Sequence, residues 1–164
     1  MAAIRIRDGQ PRDGEALAAI YAPFVEQSWV SFETEAPSAD EMARRITDYG
    51  ASHAWLVAEC DGEIAGYAYA SPHRVRAAYA TSADIAIYIA PHAQGQGLGR
   101  ALYTALFDRL RAKSIHAVFA GIALPNPASI ALHESMGMVP VGIYREVGWK
   151  LDGWRDVGWW QRLL

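Results

Sequence analysis

Cysteine is nearly absent: Cys60 is the only one in 164 residues. A single thiol excludes an intramolecular disulfide, so no covalent staple organises the fold. Glu59 and Asp61 flank it with negative charge, which disfavours a thiolate and makes Cys60 a poor nucleophile. Positive charge is also in short supply. Lys and Arg number 15 against 18 Asp and Glu, for a net charge of -3 and a pI of about 5.9. That balance argues against nucleic acid as an electrostatic partner. No apolar run approaches the ~20 residues of a membrane span. Met1 to Asp8, where Ile and Arg alternate, lacks the apolar core of a secretion signal. His53, His73, His92 and His116 show no metal-ligand spacing, so no metal is expected. The nucleophile elbow G-x-S-x-G is missing, as are internal repeats, low-complexity segments and linkers. These absences together lead us to expect a soluble cytoplasmic protein with no membrane or nucleic-acid partner.

The chain is well supplied with apolar residues, 52% of the total, enough for the core of one domain spanning residues 1–164. Ile4 and Ile6 alternate with Arg5 and Arg7, the period of a strand. Asp13 is placed to cap a helix bearing Leu17, Ile20, Tyr21 and Phe24. Ser31 to Glu35 interrupts before Pro37. Ser38 with Glu41 forms a capping-box pattern and opens a helix through Met42, Ile46 and Tyr49. Ala54–Cys60 and Glu63–Ser71 read as strands joined at Asp61-Gly62, a hairpin turn signal. A basic and aromatic loop, His73–Tyr79, leads to a strand from Ser82 to Ile89, then a glycine loop and a helix to about Lys113. Ala117–Ala123 is the next strand, broken by Pro125-Asn126-Pro127. A short helix runs to Met136, with Gly137 as its C-terminal cap signal. Met138 to Leu164 reads as two antiparallel strands around Lys150–Gly153 and carries four of the six tryptophans. The order β-α-α-β-β-β-α-β-α-β-β describes a mixed α/β layer structure.

The glycine loop, Gln94-Gly95-Gln96-Gly97-Leu98-Gly99-Arg100, lies between a strand and a helix. Glycines remove side chains where backbone N–H groups turn inward, and the helix adds its own unbonded N–H groups. The result is an anion site suited to a phosphate or pyrophosphate. It is not the nucleotide-triphosphate loop G-x-x-x-x-G-K-[ST], because no Lys follows the glycines. It is not the dinucleotide fingerprint G-x-G-x-x-G either, because the third glycine position falls on Arg100. The acid expected roughly twenty residues later would fall near Phe119 to Gly121, where there is none.

What remains, Gln94-x-x-Gly97-x-Gly99, resembles the pyrophosphate loop of the GNAT superfamily of N-acetyltransferases, which binds acetyl-CoA. A second block, Asn126 to Met138, looks like that superfamily's pattern of Asn, a small residue, an aromatic, then Gly and an apolar residue. Ser31–Glu35, Ser71–Tyr79, Leu124–Ser129, Gly148–Lys150 and Asp156–Gln161 are similar to phosphinothricin and methionine sulfoximine N-acetyltransferases. The similarity covers nearly the whole chain. It implies a mixed central sheet of about seven strands, flanked by helices and splayed at its central strands. It also implies acetyl transfer from acetyl-CoA to the α-amino group of a small L-amino acid or analogue.

The resemblance places roles on particular residues. Gln94, Gly95, Gln96, Gly97, Leu98, Gly99 and Arg100 would hold the pyrophosphate. The backbone of Ile87, Tyr88 and Ile89 would pair with the pantetheine amides, and an N–H near Ile87 or Tyr88 would stabilise the oxyanion. Asn126 and the helix after it, with Ser129, would contact the pantetheine arm and thiol end. Asp84 stands where the family has Glu and is the candidate general base; one methylene shorter, it would act through water. His133, where many members have Tyr, is the candidate general acid. Arg74 and Arg76 would clamp the acceptor's carboxylate, Tyr79 would add a hydroxyl donor, and Phe32 and Thr34 would line the side-chain pocket. Plainer roles stay open: Asp84 as a strand cap or arginine partner, His133 as a structural helix histidine, and the arginines as a solvated loop. Trp149, Trp154, Trp159 and Trp160, with Tyr144, suggest an apolar surface and a homodimer. Two other functions compete, a protein or peptide N-acetyltransferase and a non-catalytic CoA-binding sensor.

Overall fold

The computed structural model describes residues 3–164. In chain order the elements are β1 (Ile4–Asp8), α1 (Gly14–Glu26), α2 (Ala39–Ser52), β2 (Ala54–Cys60), β3 (Glu63–Pro72) and β4 (Ser82–Ile89), followed by α3 (Leu98–Ala112), β5 (Ala117–Ala123), α4 (Pro127–Ser135), β6 (Val139–Trp149) and β7 (Trp154–Leu163). Short 3-10 turns precede α1, β4 and α3. The strands form one sheet in the order β1-β2-β3-β4-β5-β7-β6. This is the mixed α/β architecture expected, with one feature sequence order conceals: β7 lies between β5 and β6. The β2–β3 hairpin turns at Asp61 (φ 52°) and Gly62 (φ 89°). Two successive positive φ values are the requirement of the turn that matches strand twist.

The helix caps follow the expected sites with two differences. Ser38 Oγ accepts the Glu41 backbone N–H at 3.1 Å, but the Glu41 carboxylate turns to Arg44 and Arg45 instead of closing the box. Asp13 sits at the start of α1 without capping it. Its carboxylate accepts the Gln10 N–H at 2.8 Å and both terminal nitrogens of Arg7 at 2.8 and 3.0 Å. A guanidinium is a stronger partner than an exposed helix N–H, so the ion pair wins.

Strand alternation sorts the sheet's faces. On one face Ala83, Ile85, Val118, Ala120 and Trp160 pack against Leu98, Leu102, Leu106 and Leu110 of α3. On the other, Trp55, Val57 and Tyr67 pack against Leu17 and Val25 of α1 and Met42 and Ile46 of α2. Flat aromatic stacking extends this second layer, with Trp55 and Tyr69 centred 4.2 Å apart. β4 is therefore covered on both faces, with Ile87 and Ile89 toward α3 and Tyr88 toward α1.

The central strands splay. β4 pairs with β3 along its length, from Ala83 to Ile89. It pairs in parallel with β5 only at Ser82–Ala117, Ala83–Val118 and Asp84–Phe119. Beyond Asp84 the two strands part, so Ile85 to Ile89 present one backbone edge without a strand partner. Leu106 is fully buried where α3 crosses the sheet. Leu106→Ala is expected to lower the unfolding free energy by about 2–5 kcal/mol, read by urea denaturation, because the rigid strands beneath cannot collapse into the cavity.

Candidate functional site

Three cavities meet at the splay, and Val30 and Tyr88 line all of them. The first, of about 480 Å³, lies on the α3 side and is lined by Ile87–Ile89, Gln94, Gly95, Gly97–Arg100, Asn126 and Ser129. Gly97 is the N-cap of α3 at φ 85°, and Gly95 lies at φ 74°. Only glycine holds those angles without strain. Open space surrounds the Cα of both, so the loop leaves room for a ligand against its backbone. Gln94 Nε2 donates to the Ile89 carbonyl at 3.2 Å and ties the loop to β4, while Gln96 donates to His92. The N-terminus of α3 thus points unpaired N–H groups into a groove bounded by the free edge of β4, an anion site beside an extended pairing edge.

The second cavity, of about 60 Å³, fills the gap itself, between Ile85–Tyr88 on β4 and Ala120–Ala123 on β5. Asn126 Oδ1 caps α4 by accepting the Ser129 N–H at 3.2 Å, which brings Ser129 and His133 to the gap. His133 is almost fully buried. Its Nδ1 is 2.7 Å from the Ser129 carbonyl, and its Nε2 is 2.8 Å from the Tyr103 hydroxyl. A carbonyl only accepts, so Nδ1 carries the hydrogen and Nε2 receives the tyrosine's. Burial holds the imidazole's pKa below its ordinary value, which keeps the ring neutral at pH 7.

The third cavity, again of about 480 Å³, lies on the α1 side. Asp84, Ala86 and Tyr88 of β4, Gly121 and Ala123 of β5, and Val157 and Trp159 of β7 line it on one sheet face. Ser31 and Phe32 close it from the segment after α1, and Tyr144 and Val147 from β6. The Ser31–Glu33 segment is firmly held. The Tyr21 hydroxyl bonds Ser31 Oγ and Glu33, Arg45 pairs with Glu33 at 2.6 Å, and the buried Lys150 ammonium donates to the Ser31 carbonyl at 2.5 Å. Phe32 then packs its ring on Gly148, where a Cβ would meet it at 2.4 Å. Asp84 Oδ1 is 2.5 Å from His73 Nδ1. Burial raises the Asp84 carboxyl above its ordinary pKa, and the His73 bond opposes part of that rise.

Such a site joins an anion-binding groove to a carboxylate cavity through a gap between parallel strands. Its sequence matches the acetyltransferase (GNAT) family model over residues 22–138. The chain belongs to the GNAT family of acetyltransferases. A phosphinothricin N-acetyltransferase of Streptomyces coelicolor is 38% identical, over 99% of this chain and 98% of the relative. The crystal structure of a ribosomal-protein-alanine N-acetyltransferase from Brucella melitensis superposes with a TM-score of 0.94 at 32% identity, covering 98% of this chain and 99% of that one. A phosphinothricin acetyltransferase from Sinorhizobium meliloti, solved with acetyl-CoA, superposes at 0.93 with 34% identity, covering 98% of this chain and 88% of that one.

Most of the expected groove residues of this GNAT chain come together: Ile87, Tyr88, Ile89, Gln94, Gly95, Gly97, Leu98, Gly99, Arg100, Asn126 and Ser129 share one lining, with Gln96 beside it. Asp84 and Phe32 line the α1-side cavity. Thr34, Arg74, Arg76 and Tyr79 are exposed and outside that lining. Arg74 donates to the His73 carbonyl at 2.7 Å, and Tyr79 meets the His73 ring edge-on at 5.8 Å. Tyr69 and Tyr103 carry no signal in the sequence, while His73, Ser71 and Lys150 stand in segments that resemble related acetyltransferases without a role attached to them. The only signal for His73 was the register of the β3–β4 pair, where Ser71 faces Asp84. Among the described residues no group of three or more His, Cys, Asp or Glu is placed to hold a metal.

His133 gives a pH prediction. Its folded pKa lies below the unfolded value of about 6.5. Below that pH the unfolded chain binds a proton that the folded state excludes, so stability falls as pH falls. His133→Asn removes this share of the slope in urea unfolding between about pH 7 and about pH 5, while His53, also held low by burial, keeps its own. The His133 ring should half-titrate below about pH 6.5 by NMR.

Proposed function

We propose that this GNAT protein transfers the acetyl group of acetyl-CoA directly to the α-amino group of a small L-amino acid or analogue. Phosphinothricin, methionine sulfoximine and methionine sulfone define the acceptor class. The observation that carries this reading is the alignment of glycine groove, strand gap and Asp84 cavity, three spaces with common walls at Val30 and Tyr88. The groove suits acetyl-CoA, with open space at Gly95 and Gly97, a helix N-terminus beyond them and the unpaired edge of β4 alongside.

Bound there, acetyl-CoA supplies an activated thioester for attack by an amine. The loop and the first N–H groups of α3 hold the pyrophosphate. Ile87 to Ile89 pair with the pantetheine as an added strand. A backbone N–H at Ile87 or Tyr88 meets the carbonyl oxygen as charge develops there. Amines are protonated at neutral pH, so Asp84 takes a proton from the acceptor's ammonium through a water molecule before attack. A carboxyl whose pKa burial has raised is the better base for this step. His133 enters the mechanism as a fixed wall of the gap. Both ring nitrogens are engaged and the ring is neutral, so solvent water takes the second proton that nitrogen loses as the C–S bond breaks and supplies the proton of the departing CoA thiol. Arg74 is near enough to Asp84 to lower its pKa, and with Arg76 it would receive the acceptor's carboxylate at the open end of the cavity.

Val141, Ile143, Tyr144, Val147, Trp149 and Trp154 expose apolar side chains on β6 and β7. We assign this surface to a homodimer, which gel filtration showing a concentration-independent monomer would refute. A reaction that consumes acetyl-CoA belongs in the cytoplasm, the location we propose.

The deciding experiment measures release of CoA thiol across phosphinothricin, methionine sulfoximine, methionine sulfone, the common L-amino acids and short peptides. Turnover confined to the small acceptors is expected. Turnover only on peptides with an N-terminal alanine would favour the second reading, protein or peptide N-acetylation, the activity for which the Brucella relative is named. Arg74→Ala and Arg76→Ala should each raise the acceptor KM about tenfold or more while leaving the acetyl-CoA KM unchanged, since each removes a charge-assisted bond to the carboxylate. Unchanged acceptor kinetics would remove the arginines from the site.

A further inference from the structure

The loop between β3 and β4 holds an interaction that the proposed reaction does not call for. His73 Nδ1 is 2.5 Å from Asp84 Oδ1, and the imidazole is locked in place. Its ring stacks on Phe119 with centroids 4.3 Å apart and planes 20° apart. Tyr79 and Trp159 meet it edge-on at 5.8 and 6.4 Å. An ionised carboxylate only accepts, so Nδ1 carries the hydrogen. Asp84 Oδ2 has no hydrogen-bond partner among the described residues. The carboxylate lines the α1-side cavity and the imidazole does not, so His73 stands behind Asp84 as seen from the acceptor.

We infer that His73 is a positioning residue for Asp84: its Nδ1–H fixes Oδ1 from behind, leaving Oδ2 as the oxygen that takes the acceptor's proton. This rests on Asp84 being the general base. The short side chain of Asp84 gives the role its purpose. An aspartate reaches the ammonium through water, and a carboxylate held in one orientation holds that water in one place. The proton balance is simple. The ammonium gives one proton to the bridging water, and the water gives one to Oδ2. The Nδ1 hydrogen stays on His73 and continues to face Oδ1, which remains an acceptor after Oδ2 is protonated.

Few charged groups face the pair. Arg74, from the same loop, lowers the carboxyl pKa, as does the His73 bond, while burial raises it. The titratable side chains around them are Tyr79 over the imidazole and Tyr69, Tyr88 and Tyr144 in the cavity wall. β3 offers Ser71 opposite Asp84, β5 offers Phe119 and β7 Trp159, none of which titrates.

The test is the pH profile of kcat/KM for the acceptor in wild type, His73→Phe, His73→Asn and Asp84→Asn. Phenylalanine keeps an aromatic face for Phe119 but donates nothing; asparagine keeps a donor near the Nδ1 position. Losing a bond that stabilises the carboxylate raises its pKa, so the acid limb of His73→Phe should move up by about one pH unit. Its kcat should fall roughly tenfold with the acceptor KM nearly unchanged, and His73→Asn should return the limb to the wild-type position. A limb that does not move in His73→Phe, whatever its kcat, overturns the inference, as does a limb equally displaced in His73→Asn. NMR titration of the Asp84 carboxyl in each variant reads the same shift without turnover. Failure of the underlying reading looks different: Asp84→Asn would then retain full turnover across pH.

Discussion

Pairing between β4 and β5 stops at Asp84–Phe119, and the working parts of the molecule depend on that stop. Each strand stays anchored on its other side, β4 by β3 and β5 by β7, so the gap is held open by two intact half-sheets. Buried backbone groups must find partners. An edge of five residues left free beside a groove is therefore a place where an extended ligand is received by the main chain, with little demand on side-chain identity. The glycine loop adds its N–H groups at one end of that edge, and Asp84 stands at the other.

The gap also divides the chemistry by sheet face. Alternation along β4 sends Ile85, Ile87 and Ile89 toward α3 and Asp84, Ala86 and Tyr88 toward α1. Strands have a side-chain period of two, so a base on the second face and a groove beside the first follow from a single strand. Paired polar and ionic groups, several of them buried, hold this arrangement from beside the cavities. Glu33, Arg45, Tyr21 and Lys150 pin the segment that presents Phe32, and Arg7 ties Asp13 to Glu59 beneath α1. Inside the gap the polarity is neutral, because His133 and Tyr103 satisfy each other without a charge. Neutral, paired groups are the ones a low-dielectric wall tolerates.

Legibility in the sequence tracked the range of the interaction. Asp61-Gly62, Ser38 and Gly137 state their roles within a few residues, and the structure uses each at a turn or helix end. The glycine loop was legible for the same reason. Asp13 was misjudged because Arg7, which belongs to a neighbouring strand, outcompetes the helix for its carboxylate. Arg74 and Arg76 came from the resemblance to related acetyltransferases, and their placement depends on the loop after β3, where a 3-10 turn from Ala77 to Tyr79 follows them and both are exposed. His73 was set aside for lack of ligand spacing, although its partner lies across an antiparallel register.

The sequence by itself determined the elements, their order and the anion loop, because periodicity, caps and glycine angles are local properties of the chain. Only the tertiary structure decided that β7 slips between β5 and β6, that the central strands part after three pairs, and that Asp84 meets His73. Strand order and register come from the packing of whole faces against α1, α2 and α3, a balance of burial that no short stretch of sequence contains.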